Sequence, residues 1–326
     1  NEIRRLTTPI YGMVRWGDLF TPRQGLLLSV LFDLVKPLSG QVGGSVSKGL
    51  AEAIHTSLAL AVSRQCDYSS SLCSWHITRE TLGHTFTRQA LPMVWDFAEV
   101  SPFSGSTGDF GGAVDWVTKV IEANSLAQPI GSVELASATS HPLPDGSVQA
   151  LITDPPYYDA VPYAHLSDYF YVWLRRALSS DHPDLFRYFQ VPKEEEIVVD
   201  RPHELSRSVK NVAFYEAQLA RAFVDGRRVL SSEGIATIVF ASKTTASWEA
   251  ILKAVVDAGW TITGSWPIDT EMEARVAAQG QARLGSSVHL VCRPRQNADG
   301  TLQTTLIGDW REVLQELPVR IHAWLP

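Results

Sequence analysis

Positive charge is in short supply in this chain. Its 28 Lys and Arg face 35 Asp and Glu, for a formal net charge of −7 over 326 residues. Nucleic-acid binders usually carry a basic footprint, so a uniformly basic surface is excluded. A local basic stripe remains compatible with that balance. Cysteine is nearly absent: three in total, one of them (Cys292) inside an apparent strand. That excludes a disulfide framework and reads as a reducing, cytoplasmic setting. No apolar run is long enough to cross a bilayer, and no signal peptide opens the chain. The first residue is Asn1, and the opening NEIRRLTTPIYG has no core of its own. Such a start is expected of a fragment or of one half of a split protein.

Three ligand motifs are missing as well. Residues 38–48 (LSGQVGGSVSK) hold paired glycines but follow no strand and lack the phosphate-loop spacing. Cys66, Cys73, His76 and His84 lack the paired Cys-x2-Cys of a zinc site. They read as polar groups around a core loop. FSGSTGDFGG (103–112) is glycine-rich, but Pro102 separates it from the preceding apolar run. A cofactor turn should run straight from a strand into a helix.

What is present is a large hydrophobic share, 45%, with 10 tryptophans, enough for one large α/β domain or two smaller ones. Thr21 followed by Pro22 caps a helix whose apolar residues from Leu26 to Val35 lie on most sides, so a buried helix is expected. Further helices are expected near 50–65, 112–124, 163–178, 214–230 and 248–258, the last stopped by Gly259. Strands are expected at 133–138, 148–153, 234–241, 260–266 and 286–293, and a tail helix at 310–317.

The apolar run ending at Ile152 leads into Thr153-Asp154-Pro155-Pro156-Tyr157-Tyr158-Asp159. Two prolines end both helix and sheet ladder there. Open α/β sheets place their ligand sites at the carboxyl ends of such strands. A plain turn would use the same residues, but they also fit one chemistry: methyl transfer to an exocyclic amino group. The amino nitrogen of adenine or cytosine is a poor nucleophile because its lone pair is delocalised into the ring. A carboxylate (Asp154) and a backbone carbonyl (that of Pro155, its direction fixed with Pro156) accept from that NH2 and localise the lone pair. Tyr157 can stack on a base that has left its helix. Tyr158, Asp159, Tyr163 and His165 lie nearest in sequence and are candidates to shape the base pocket.

The DPPY motif does not stand alone. WGDLFTPRQ (16–24), SLCSWH (71–76), FTRQALPMVWDFAEVSPFS (86–104), TDPPYYDAVPYAHLSDYFYVWLRRAL (153–178) and SSVHLVCRPR (286–295) occur in that order. Together they resemble the large bacterial and archaeal adenine-specific DNA methylases once filed as a domain of unknown function. The resemblance spans roughly residues 9–295, and its long DPPYYDAVPYAHLSDYFYVWLRR block is its most specific part.

This resemblance implies S-adenosyl-L-methionine as methyl donor, DNA as partner and a Rossmann-like seven-stranded methyltransferase sheet. The strands named above would be its third to seventh. The first two, which carry the glycine-rich cofactor turn and the ribose-binding acid, have no candidates. An upstream segment or a partner chain is expected to supply them. Phe20, Thr21 and Pro22 are implied as cofactor-pocket residues, a plain capped core helix being the other reading. Ser137 and Ala138 stand where relatives place an acid near the cofactor adenine. The implied organisation is a helical N-terminal insertion at 1–110, a catalytic domain at 111–295 and a tail at 296–326.

Within 179–211, Lys193-Glu194-Glu195-Glu196 reads as a solvated face. Arg201, His203, Arg207 and Lys210 form a loose basic run suited to a nucleic-acid backbone, or an exposed linker. Other outcomes stay open: cytosine N4 or RNA as acceptor, a catalytically silent DNA-binding subunit, or an α/β protein whose Asp-Pro-Pro-Tyr is structural.

Overall fold

The computed structural model describes residues 6–42, 44, 46–125, 129, 131–157, 161–199, 210–242, 245–268, 287–296 and 301. It divides into two units: Asn1–Ser132 with Val161–Glu196 and Asp200–Val209, and Val133–Ala160 with Ile197–Val199 and Lys210–Pro326. No described helix is long and apolar enough to cross a membrane.

The first unit is helical: α1 (Pro22–Val35), α2 (Leu38–Val42), α3 (Lys48–Tyr68), α4 (Phe110–Asn124) and α5 (Tyr163–Leu178), with a two-residue antiparallel pair, β1 (Trp75–His76) and β2 (Thr81–Leu82). Side chains start these helices by taking up orphan backbone donors. Thr21 accepts from the Gln24 N–H of α1, Ser47 from Leu50 of α3, and Asp109 from Gly112 of α4. The core centres on Tyr169 of α5, whose ring meets Phe20, Phe86 and Trp16. One expectation is corrected here. The helix α1 buries Leu28, Leu31, Phe32 and Val35 but exposes Leu26, Val30 and Leu34, because α3 and α5 cover only part of it. The helices α4 and α5, expected within the catalytic part, belong to the first unit and pack against α3.

The second unit is α/β. It holds β3 (Val148–Thr153), α6 (Val212–Val229), β4 (Leu230–Phe240), α7 (Thr245–Asp257), β5 (Trp260–Ile268) and β6 (Ser287–Pro294). The sheet is mixed, in the order β3-β4-β6-β5. The strands β3 and β4 run parallel, with Thr153 opposite Ile238, and β6 lies antiparallel to both β4 and β5. Alternation along β4 sends Ala236, Ile238 and Phe240 to one face, where they are fully buried. There they join Tyr215, Leu219 and Phe223 of α6, and Ile251 and Val255 of α7. Each such large apolar side chain contributes about 1.5–3 kcal/mol on burial. Gly259, at φ 82°, supplies the left-handed turn between α7 and β5. The next residue, Trp260, is fully buried and donates its indole N–H to the Phe223 carbonyl at 3.0 Å.

The expected strand 133–138 does not form. Val133 and Leu135 are exposed, and the only pairing there is an isolated bridge between Ser137 and Ser140. Periodicity suggested a strand, but a strand needs a ladder partner, and no described strand offers one. Four of the five expected strands form. The expected polar excursion 269–284 and tail helix 310–317 lie outside the described residues.

Candidate active site

The Asp-Pro-Pro-Tyr motif begins one residue after the β3 ladder ends. Asp154 is exposed, Pro155 buried, and Pro156 and Tyr157 half-buried. Tyr157 packs on the core cluster: its ring lies 5.3 Å from that of Phe240, at 79°. Phe240 in turn meets Trp248 of α7 edge to face, 4.9 Å away at 85°. The Trp248 indole N–H donates to the Ser242 carbonyl at 3.1 Å. Phe240 is the last residue of β4, so this row of rings joins the carboxyl ends of two adjacent parallel strands. From below, the Tyr215 hydroxyl donates to the Pro156 carbonyl at 2.7 Å.

The other end of β3 is held by charge. Arg228, in the last turn of α6, donates to Asp145 (2.7 Å), to the carbonyls of Leu143 and His141, and to Asp225 (2.8 Å). Asp225 also accepts from the His141 N–H, and Gly146, at φ 62°, bonds the Arg228 carbonyl. The hydrogen bond from Arg228 is the main cause holding the Asp225 carboxyl below its ordinary value. This clamp fixes where β3 starts. It involves none of the residues singled out as catalytic from the sequence.

The remaining candidates fall as follows. Tyr163 and His165 lie on the first turn of α5, in the first unit; Tyr163 is half exposed and His165 half-buried. Phe20 is half-buried in that unit, stacked on Tyr169 at 5.6 Å and edge to face with Trp173. Thr21 and Pro22 are the N-cap and first residue of α1. Ser137 and Ala138, in the second unit, are exposed. Lys210 is buried at 4% exposure, which removes it from the expected exposed basic run. Tyr158, Asp159, Arg201 and Arg207 lie outside the described residues.

The solvated reading holds for exposed Glu194 and Glu195 but needs correcting for Lys193 and Glu196. Lys193 pairs with buried Asp168 at 2.8 Å, and Glu196 accepts from the Ala164 N–H at the start of α5. Asp168 also accepts from Val191 N–H, so this segment is tied down on α5. Just before it, Phe189 stands exposed with the Arg175 guanidinium 5.7 Å from its ring, and Arg187 lies 4.6 Å from that of Tyr188.

The first unit also has a cavity of about 240 Å³ lined by Arg23, Gln24, Leu27, Ser69, Glu99 and Pro102. Gln24 is buried. Its carboxamide oxygen accepts from the Thr21 N–H at 2.8 Å, which turns the NH2 the other way. That NH2 has no hydrogen-bond partner among the described residues. Glu99 accepts from Thr21 and pairs with Arg23.

Sequence reasoning missed Tyr215, Phe240, Trp248 and Gln24. The signal for Tyr215 was its place in the buried stripe Tyr215-Leu219-Phe223, where a hydroxyl needs a partner. Gln24 was readable as the third residue of a capping box.

Fold and site together define an α/β protein whose sheet carries an Asp-Pro-Pro-Tyr loop at the end of a parallel strand. No protein-family model matches the chain, and no curated protein matches it.

Proposed function

We propose that this chain is the catalytic part of an S-adenosyl-L-methionine-dependent methyltransferase acting on adenine N6 in DNA. The observation that carries the reading is the Asp154–Tyr157 loop, standing at the end of a parallel strand with its carboxylate exposed and its aromatic ring held. A sheet ending in two antiparallel strands, β6 and β5, also supports the Rossmann-like methyltransferase arrangement.

In this mechanism the base is flipped out and Tyr157 stacks on it. Asp154 and the Pro155 carbonyl accept from the two amino hydrogens. The nitrogen lone pair is thereby turned toward the methyl carbon for in-line displacement. Bonding of nitrogen to that carbon would break the sulfonium carbon–sulfur bond and release a neutral thioether, and the surplus amino proton would leave through Asp154 or water. The donor supplies the methyl group. Ser137 and Ala138 bring no acid to the adenosine end, which supports an upstream segment or partner chain carrying the rest of the cofactor site. The exposed rings of Tyr188 and Phe189 and the exposed guanidinium of Arg187 support contact with nucleic acid despite the acidic total charge.

The test is methyl transfer from methyl-labelled S-adenosylmethionine to a pool of unmethylated random-sequence duplexes, digested to nucleosides. N6-methyladenine is expected. Asp154→Ala should cut the rate about 10²–10³-fold. Undiminished transfer by that variant overturns the reading, and N4-methylcytosine in the digest moves the acceptor.

A second reading is favoured by Ile152, an apolar strand residue left 77% exposed. It makes the chain a subunit that binds DNA and is silent until a partner covers that surface. Two calorimetric titrations with S-adenosylmethionine separate the two. One-to-one binding by this chain supports a complete donor site. Where folded chain alone does not bind, binding restored by adding the upstream segment or partner supports the catalytic part, whereas continued absence of binding supports the silent subunit.

A further inference from the structure

We infer that Tyr215 is a positioning residue, which aims Tyr157 by locking the one soft backbone torsion inside the motif. This rests on the methyltransferase reading for its kinetic consequence but not for its geometry. Between Asp154 and Tyr157 nearly every torsion is restricted by proline itself. Asp154 and Pro155 each precede a proline, which confines their ψ to extended values. Pro155 and Pro156 have φ locked by their rings. The exception is ψ of Pro156, because the residue after it is Tyr157. That angle sets the direction of the Pro156 carbonyl and of the peptide that carries Tyr157.

The prolines also remove backbone donors. The two have no N–H of their own, so at their positions a carbonyl is what the backbone can offer as an anchor point. The Tyr215 hydroxyl takes the Pro156 carbonyl at 2.7 Å from a ring that is 1% exposed. A buried phenol must find a partner, so the bond is held from the core side as well. The two carbonyls of the motif thus have separate tasks. That of Pro155 is directed by the proline after it and serves the substrate amino group. That of Pro156 is directed by Tyr215 and serves Tyr157. The Phe240 ring, set against Tyr157, holds the side chain once the backbone is aimed.

Tyr215→Phe keeps the buried ring and removes only the hydroxyl. Two measurements decide the matter. In protein labelled with ¹³C at proline carbonyls, the Pro156 signal should move on Tyr215→Phe while the Pro155 signal stays. This readout needs no turnover. In the random-duplex assay, kcat/KM for DNA should fall roughly ten-fold, the kinetic equivalent of one neutral hydrogen bond, with KM for S-adenosylmethionine unchanged. Because Tyr215 acts through Tyr157, Tyr215→Phe should cost little more in a Tyr157→Ala background. An unmoved Pro156 carbonyl, or the same ten-fold loss in that background, overturns the inference. If the wild-type chain transfers no methyl even when supplied with its upstream segment or partner, the methyltransferase reading falls, and the carbonyl signal still decides whether Tyr215 holds the loop.

Discussion

The two faces of the sheet in the second unit are built from the same strands and behave differently. On one face Ala236, Ile238, Phe240 and Trp260 are wholly buried under α6 and α7. On the other, Ile152, Ile235 and Trp266 are exposed by 77%, 39% and 64%. Cross-strand register puts Ile152 beside Thr237 and Trp266 beside His289, so these residues share the open face. Parallel strands normally occur in sheets covered on both sides. The covered face therefore carries the stability of the unit. The open face carries apolar residues whose burial the described residues do not provide.

The strand β3 shows the same contrast along its length. Leu151 packs into the covered core, whereas the turn before the strand is held by the exposed Arg228 clamp. The Asp-Pro-Pro-Tyr loop thus stands on a strand fixed by apolar packing at one point and by charge at another.

The largest effect expected from breaking this contrast is on the covered face. Trp260→Ala should lower unfolding stability by about 3–5 kcal/mol, read by chemical denaturation, since it opens a cavity and removes the indole donor to the Phe223 carbonyl. An effect as small as that of a surface change would show that the covered face is not the core.

A smaller effect is expected at the clamp. The folded pKa of Asp225 lies below the ordinary 3.8, so its contribution is present above 3.8 and is lost as pH falls through the folded value. Hydrogen exchange should then show amides near Val148 losing protection in acid sooner than amides of β6. Arg228→Met should abolish that difference, and equal acid sensitivity of β3 and β6 in the unaltered chain would remove the distinction. The smallest effect belongs to the open face. Ile152→Thr should change stability by no more than about 0.5 kcal/mol. A loss of several kcal/mol would mean that Ile152 is covered in solution.

Residues next to one another in sequence were read well. Thr21 and Pro22 form their cap, α5 spans Tyr163–Leu178 as expected, and Gly259 ends α7. These features depend on torsions and hydrogen bonds within a few residues. The segment 133–138 was misread because alternation records only what a strand could bury, and its partner is a matter of tertiary structure. Lys193, Glu196 and Lys210 were misread for a related reason. Charge suggests solvent, but Asp168 and the start of α5 draw the first two inward, and Lys210 is buried.

By itself, then, the sequence determined the punctuation of the chain and the chemistry of its central loop: which residues cap helices, where Pro155 and Pro156 end β3, and which carboxylate and ring follow. Those are properties of single side chains and adjacent torsions. Only the tertiary structure decided what holds that loop. Tyr215 lies 59 residues from Pro156, and Phe240 reaches Tyr157 because β3 and β4 run parallel. Contacts at such separations depend on how helices and strands pack, which no local pattern encodes.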